Sequence, residues 1–181
     1  MRIGIDISQI VYEGTGVGNY VRRLVSELVN LDKTNSYVLF GASLRQQGKL
    51  LSYYRSLHCD SSRVRLCVLP IPPTLLDLLW NILHVLSIER FIGHVDVFWS
   101  SDWTQPPLHH ARGITTIHDV SIFRYPKSFS NTIINVQKRR LEQAKKECDA
   151  FLCDSLVTKQ DVIDFLHIEA KKLHVVYPGF S

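Results

Sequence analysis

Residues 2–20 read Arg2-Ile3-Gly4-Ile5-Asp6-Ile7-Ser8-Gln9-Ile10-Val11-Tyr12-Glu13-Gly14-Thr15-Gly16-Val17-Gly18-Asn19-Tyr20, and this stretch decides the fold. An apolar run of strand length, Arg2–Ile7, gives way to a loop with glycine at every second position from Gly14 to Gly18. After Asn19 the apolar residues Val21, Leu24, Val25, Leu28 and Leu31 recur at helical spacing on one face. Strand, glycine loop and helix in that order open a βαβ unit. Glycines let backbone N–H groups approach a ligand, and a helix N-terminus favours an anion. A ligand-free βα turn accounts for the same residues.

Further along, apolar and β-branched runs at Tyr37–Gly41, Val64–Leu69, Val95–Ser100, Ile114–His118, Ala150–Asp154 and Leu173–Tyr177 predict six more strands. Their nearly continuous apolar character suits strands covered on both faces, as in a parallel sheet. Helical stretches lie between them. Thr74 to Phe91 follows Pro72-Pro73 and predicts a buried helix, and Asn131 to Cys148 carries Ile134, Leu141, Ala144 and Cys148 at helical spacing. Ser155 has the chemistry of an N-cap for a short helix ending near Leu166. The expected fold is α/β: a Rossmann-like, doubly wound, mostly parallel sheet of about seven strands.

The 181 residues suit one domain, and 45% apolar with 21% charged residues is ordinary globular composition. Asp6 interrupts the first apolar run, which is therefore no signal peptide. The most hydrophobic stretch, Leu75 to Ile92, contains Asp77, Asn81, His84, Glu89 and Arg90, a poor membrane span. Cys59, Cys67, Cys148 and Cys153 form no CxxC pair and no zinc spacing; reduced, structural thiols in a reducing compartment are expected. A net charge of +4 is compatible with an acidic substrate or an anionic membrane surface and demands neither.

In an open parallel sheet, ligands bind beyond the carboxyl ends of the strands. GxGxxG is absent there, no acid ends the second strand, and no GxxxxGK[ST] occurs, which argues against nicotinamide and P-loop nucleotide sites. Thr115-Thr116-Ile117-His118-Asp119-Val120 delivers a histidine to the same rim, with Asp119 as its expected orienter. A satisfied strand-end histidine is the alternative. No GxSxG elbow supports a hydrolase, and His109-His110 with His118-Asp119 shows no metal-ligand spacing. Lys138, Arg139, Arg140, Lys145 and Lys146 stand on the helix after that loop. They read either as a solvated face or, with Arg124, Lys127 and Phe129, as a surface for anionic lipid or lipid pyrophosphate. Without interleaved aromatics they do not read as a nucleic-acid surface.

Taken in order, these segments resemble the N-terminal domain of family 4 glycosyltransferases, particularly the bacterial mannosyltransferase-like branch. The resemblance is carried by Arg2–Asp6 with Gly16-Val17-Gly18-Asn19-Tyr20, Pro72 through Leu79-Trp80, and Trp99-Ser100-Ser101-Asp102 through Pro106-Pro107. It continues with Thr116-Ile117-His118-Asp119 through Tyr125-Pro126, Cys153-Asp154-Ser155 through Thr158–Ile163, and Val175-Val176-Tyr177-Pro178-Gly179. It implies one half of a GT-B architecture. Gly16 and Gly18 match the glycine loop against donor phosphate and acceptor, and His118 matches the histidine that hydrogen-bonds the transferred sugar. Asp119 is its usual neighbour, while Val17, Asn19, Tyr20, Asp102, Arg124 and Ser155 fall among the implied substrate-binding positions. Leu156 departs from the Glu that commonly follows the serine.

The resemblance further implies a boundary: residues 1–178 as the acceptor-side domain, 179–181 as the start of a linker, and a donor-binding domain outside this sequence. The parent activity would be retaining transfer of a hexose, mannose above all. The donor would be a nucleotide-diphosphate sugar such as GDP-mannose, held mainly by that second domain, with no metal and no further cofactor. The acceptor would be a glycan or lipid-linked chain in cell-surface polysaccharide synthesis, on the cytoplasmic side or peripheral at the inner membrane face. The 181 residues by themselves are expected to be inactive and, with an apolar cleft wall exposed, prone to weak self-association. The competing expectation is a non-catalytic module that binds a glycan or partner, or one subunit of a split glycosyltransferase.

Overall fold

Period-two alternation splits the apolar run of the second strand between two cores. Tyr37 and Leu39 join one face, Val38 and Phe40 the other. That is why the run reads as continuously apolar. The computed structural model describes residues 1–179 and contains seven strands: β1 (Arg2–Asp6), β2 (Ser36–Ala42), β3 (Val64–Leu69), β4 (Val97–Ser100), β5 (Arg112–Ile117), β6 (Cys148–Cys153) and β7 (Leu173–Val175). They form one sheet in the order β3-β2-β1-β4-β5-β6-β7. Every pairing is parallel, with Ile5 opposite Leu39 and Trp99, and Ile117 opposite Cys153. The expected α/β, Rossmann-like class is therefore realised with a sheet that is parallel throughout. Its order reverses between β1 and β4, which opens a crevice at their carboxyl ends.

Helices cover both faces. On one, α1 (Gly16–Leu31) lays Val21, Val25 and Val29 over Ile5 and Leu39, beside Leu50 and Tyr53 of α2 (Gln47–Ser56). On the other, Val38, Phe40 and Phe98 pack on Trp80, Ile88 and Ile92. Beyond the single turn α5 (Ser121–Arg124), a third cluster joins Ile117 and Phe151 to Leu141 and Ala144 of α6 (Asn131–Glu147) and to Val162 and Leu166 of α7 (Leu156–Leu166). All four cysteines are free thiols. Burial pushes Cys148 up to about 12 and Cys153 to about 11, so both act as small apolar side chains.

Two expectations need correction. The helix expected over Thr74–Phe91 is broken: Pro73–Leu76 is a single α-turn (α3), Asp77–Ile82 continues as a π-helix, and helical geometry resumes only at α4 (Glu89–Ile92). Side-chain bonds to backbone accompany the break. Trp80 Nε1 donates to the Leu86 carbonyl, while the Asn81 side chain donates to the Trp103 carbonyl and accepts from Gln105 N–H. His84 and Leu86 take left-handed conformations at φ 51° and 61° to make the reversal. The segment is also only partly buried, because Leu75, Leu78, Ile82 and Leu83 are exposed while Trp80 is covered. Conversely, α2 was not among the expected helices. No helix among the described residues is long and apolar enough to cross a membrane. Of the expected linker start, Phe180 and Ser181 lie outside the described residues.

Candidate functional site

Between β1 and α1 the chain makes a tight, capped turn. Thr15 is the N-cap: its Oγ1 accepts from Gly18 N–H at 3.1 Å and donates to the Tyr12 carbonyl at 2.8 Å. A Cβ on Gly18 would stand 2.8 Å from both the Thr15 hydroxyl and the Tyr12 carbonyl. Gly18 is thus required by the packing of the turn, and its expected place against a ligand is corrected: it is buried beneath the surface. Gly16 is the opposite case. A Cβ there meets nothing within 4 Å, and the residue lines an open groove of about 830 Å³ with Asn19, Tyr20, Arg23 and residues 176–179.

His118 follows β5 directly and is held from three elements. Its Nδ1 donates to Asp154 Oδ2 at 2.7 Å, at the end of β6. Its backbone carbonyl accepts from Thr158 Oγ1 of α7 (Leu156–Leu166) at 3.2 Å. Its ring meets Tyr20 of α1 edge-on, with centroids 4.9 Å apart. Tyr20 also stands edge-on to Trp99, whose Nε1 donates to Thr116 Oγ1. Val17, Asp102, His118 and Asp119 line one pocket of about 160 Å³ floored by Arg140 and walled by Phe129 and Ile133. Val17 of the glycine turn reaches the hollow that holds the imidazole, whereas Gly16 and Tyr20 line the larger groove, and Tyr20 also touches the imidazole ring.

Asp119 does not orient His118. Its Oδ1 accepts from Ser121 N–H, and the residue is exposed; the short loop after β5 turns it outward while β6 presents Asp154. Nothing in the local sequence around His118 indicates this partner, which lies 36 residues on.

Arg140 also needs correction. It is 1% exposed and cannot belong to a membrane-facing surface. Its guanidinium donates to the Ser101 carbonyl at 2.9 Å, to Thr115 Oγ1 and to the Thr116 carbonyl, tying α6 (Asn131–Glu147) to the ends of β4 and β5. Arg139 pairs with Asp77 at 2.5 Å. Lys138 lies over the Phe123 ring, Lys145 pairs with Glu142 and Lys146 bonds Gln143, so what remains of the basic face is Lys138, Lys145 and Lys146. Phe129 is half-buried in the pocket wall. Arg124 is exposed and paired with Asp161 outside that pocket. Ser155 caps α7 as expected, accepting from Thr158 N–H at 3.0 Å.

Burial dominates the electrostatics. Asp6, at the end of β1, is pushed up to about 6 by loss of water, although Ser8 donates to it. Asp102 is raised by the same cause, with Arg140 and His118 opposing the shift. Desolvation also raises Tyr20. Asp6 Oδ2, the Tyr20 hydroxyl, Asp102 Oδ1, Arg140 Nε and Asp154 Oδ1 are buried with no hydrogen-bond partner among the described residues. Polar groups left so are costly unless water or a ligand meets them. Among the described residues, no group of three or more His, Cys, Asp and Glu side chains is placed to share a metal ion.

A search of curated proteins finds no match to the chain. The family model described as Glycosyltransferase Family 4 matches residues 14–181, from the first glycine of the turn through β7 and beyond. With a parallel Rossmann-like sheet and a family match over residues 14–181, the chain belongs to glycosyltransferase family 4.

Proposed function

We propose that this chain is the N-terminal, acceptor-side half of a retaining hexosyltransferase of the GT-B architecture, in the mannosyltransferase-like branch. The observation that carries the reading is the shared hollow. Val17 of the glycine turn and His118 line one pocket beside the sheet's switch point, and Tyr20 stands edge-on to the imidazole. The sugar of a nucleotide-diphosphate donor such as GDP-mannose would enter this hollow from a second domain that grips the nucleotide. His118 would then hydrogen-bond the transferred hexose, and the open face of Gly16 would admit donor phosphate. The adjoining groove along α1, from Gly16 to Arg23, is large enough for a glycan or lipid-linked acceptor.

Retaining transfer builds oxocarbenium character at the anomeric carbon and negative charge on the departing diphosphate. The described rim supplies positioning for the first and little for the second, because Arg140 is committed to backbone and threonine oxygens. The 181 residues alone are therefore expected to transfer no sugar. The test is to assay this chain, and separately the product of the complete reading frame, against a panel of nucleotide-diphosphate sugars with lipid-linked and glycan acceptors. Transfer by the complete product, strongest with GDP-mannose and placed at the inner face of the membrane in cell-surface polysaccharide synthesis, is the expected result. Transfer by the 181 residues alone, or none by the complete product with any donor, overturns it.

A further inference from the structure

We propose that Asp154 is a positioning residue that fixes the ring orientation and tautomer of His118, leaving Nε2 as an acceptor for a sugar hydroxyl. The inference rests on the reading that His118 faces the transferred sugar, and it adds a residue that this reading does not use. A carboxylate has no proton to donate, so the 2.7 Å contact between His118 Nδ1 and Asp154 Oδ2 requires the proton on Nδ1. In the neutral ring Nε2 then carries the lone pair, and a histidine in that state accepts from a hydroxyl.

The arrangement is built from independent elements, which is what holds a catalytic-site imidazole still. Asp154 sits at the end of β6, whose pairing places Cys153 opposite Ile117, so the two side chains emerge side by side at the rim. Both are mostly covered, at 17% for His118 and 22% for Asp154. Tyr20 closes one side of the ring, and Thr158 pins the backbone carbonyl beneath it. Asp119, the sequence neighbour, is turned away toward Ser121.

The test reads the proton directly. With histidine nitrogens labelled, NMR of the chain, taken at a pH where the His118 signals report the neutral ring, should show its proton on Nδ1. Asp154→Ala should move that proton toward Nε2. In the complete enzyme the same substitution should lower kcat about 10- to 100-fold, the scale on which partners that orient an imidazole act, with donor KM changed far less. An Nε2-protonated His118 in the unaltered chain overturns the proposal without any variant. If His118→Ala abolishes transfer while Asp154→Ala changes neither tautomer nor rate, Asp154 is the part that fails. If the tautomer moves but His118→Ala leaves transfer intact, the reading of His118 as sugar-facing fails.

Discussion

Replacing Arg140 by alanine tests whether this arginine is a buried strut or part of a solvated basic face. Its side chain is 1% exposed and joins three elements: α6, the end of β4 through the Ser101 carbonyl, and β5 through Thr115 Oγ1 and the Thr116 carbonyl. Alanine leaves those acceptors without a donor and leaves Asp102 without the cation that opposes its burial. A hydrogen bond from a charged group contributes about 1.5–3 kcal/mol net, and Arg140 makes three. The effects overlap, so a loss of roughly 4 kcal/mol is expected against a typical total of about 5–15 kcal/mol. Urea unfolding followed by tryptophan fluorescence measures it, since Trp80 and Trp99 are both buried. With an m-value of about 2 kcal/mol/M, the midpoint should fall by roughly 2 M without a change in slope. Lys146→Ala, on the exposed part of the same helix, should stay within about 0.5 kcal/mol. An Arg140→Ala loss no larger than that of Lys146→Ala would refute the argument.

Asp6 titrates at about 6 when folded against 3.8 when unfolded, so its contribution to stability is full below pH 4 and is lost as pH rises through 6. That amounts to roughly 3 kcal/mol by neutral pH; Asp6→Asn should be more stable than the unaltered chain at pH 7, and an advantage equal at pH 4 and pH 7 contradicts the buried-carboxyl account. Gly18→Ala should cost about 1–3 kcal/mol by driving a methyl into Thr15 and Tyr12, whereas Gly16→Ala, with nothing within 4 Å, should leave the melting temperature unchanged and lower only transfer by the complete enzyme. Ser155→Ala removes the N-cap of α7 and should cost about 1 kcal/mol in a urea titration, with an unchanged midpoint arguing against the cap.

The strands were legible because a doubly covered parallel sheet makes its strands nearly continuous apolar runs, as Tyr37–Gly41 shows. The missed and broken helices have physical causes. Leu50 and Tyr53 of α2, with Leu57 just past its end, are buried at spacings of three and four, but the helix opens on Gln47-Gly48-Lys49 with no side-chain cap to mark its start. Between Thr74 and Phe91 the leucine periodicity is real, yet Trp80 bonds the Leu86 carbonyl within the segment and Asn81 reaches Trp103 and Gln105 beyond it, and periodicity does not encode such partners. Arg140 was readable in hindsight. It lies four residues from both Val136 and Ala144, on the buried stripe of α6, where a charge must find acceptors in the core. Asp154 was not readable, since adjacency along the chain favours Asp119 as the partner of His118, and only the β5–β6 register brings Asp154 beside the ring.

Those departures cluster in one place, and their cost bears on the proposed site. Asp6, Asp102, His118, Asp154 and Arg140 come from four strand ends and one helix, converge on one rim, and expose little of themselves to water. Burying ionisable groups there opposes folding, as the upward shifts of Asp6 and Asp102 record. The cluster around Phe40, by contrast, joins Val38, Trp80, Ile88 and Phe98. A fold that needed only stability would fill the rim in the same way, because apolar replacements of buried ion pairs are neutral or stabilising. Polar groups kept at the sheet's switch point, several with an atom lacking a partner among the described residues, accord with the proposal that this rim meets the hydroxyls and charges of a ligand. The Rossmann-like sheet alone would allow many chemistries; it is this polar rim, with the imidazole clamped between Tyr20 and Asp154, that directs the reading toward sugar transfer.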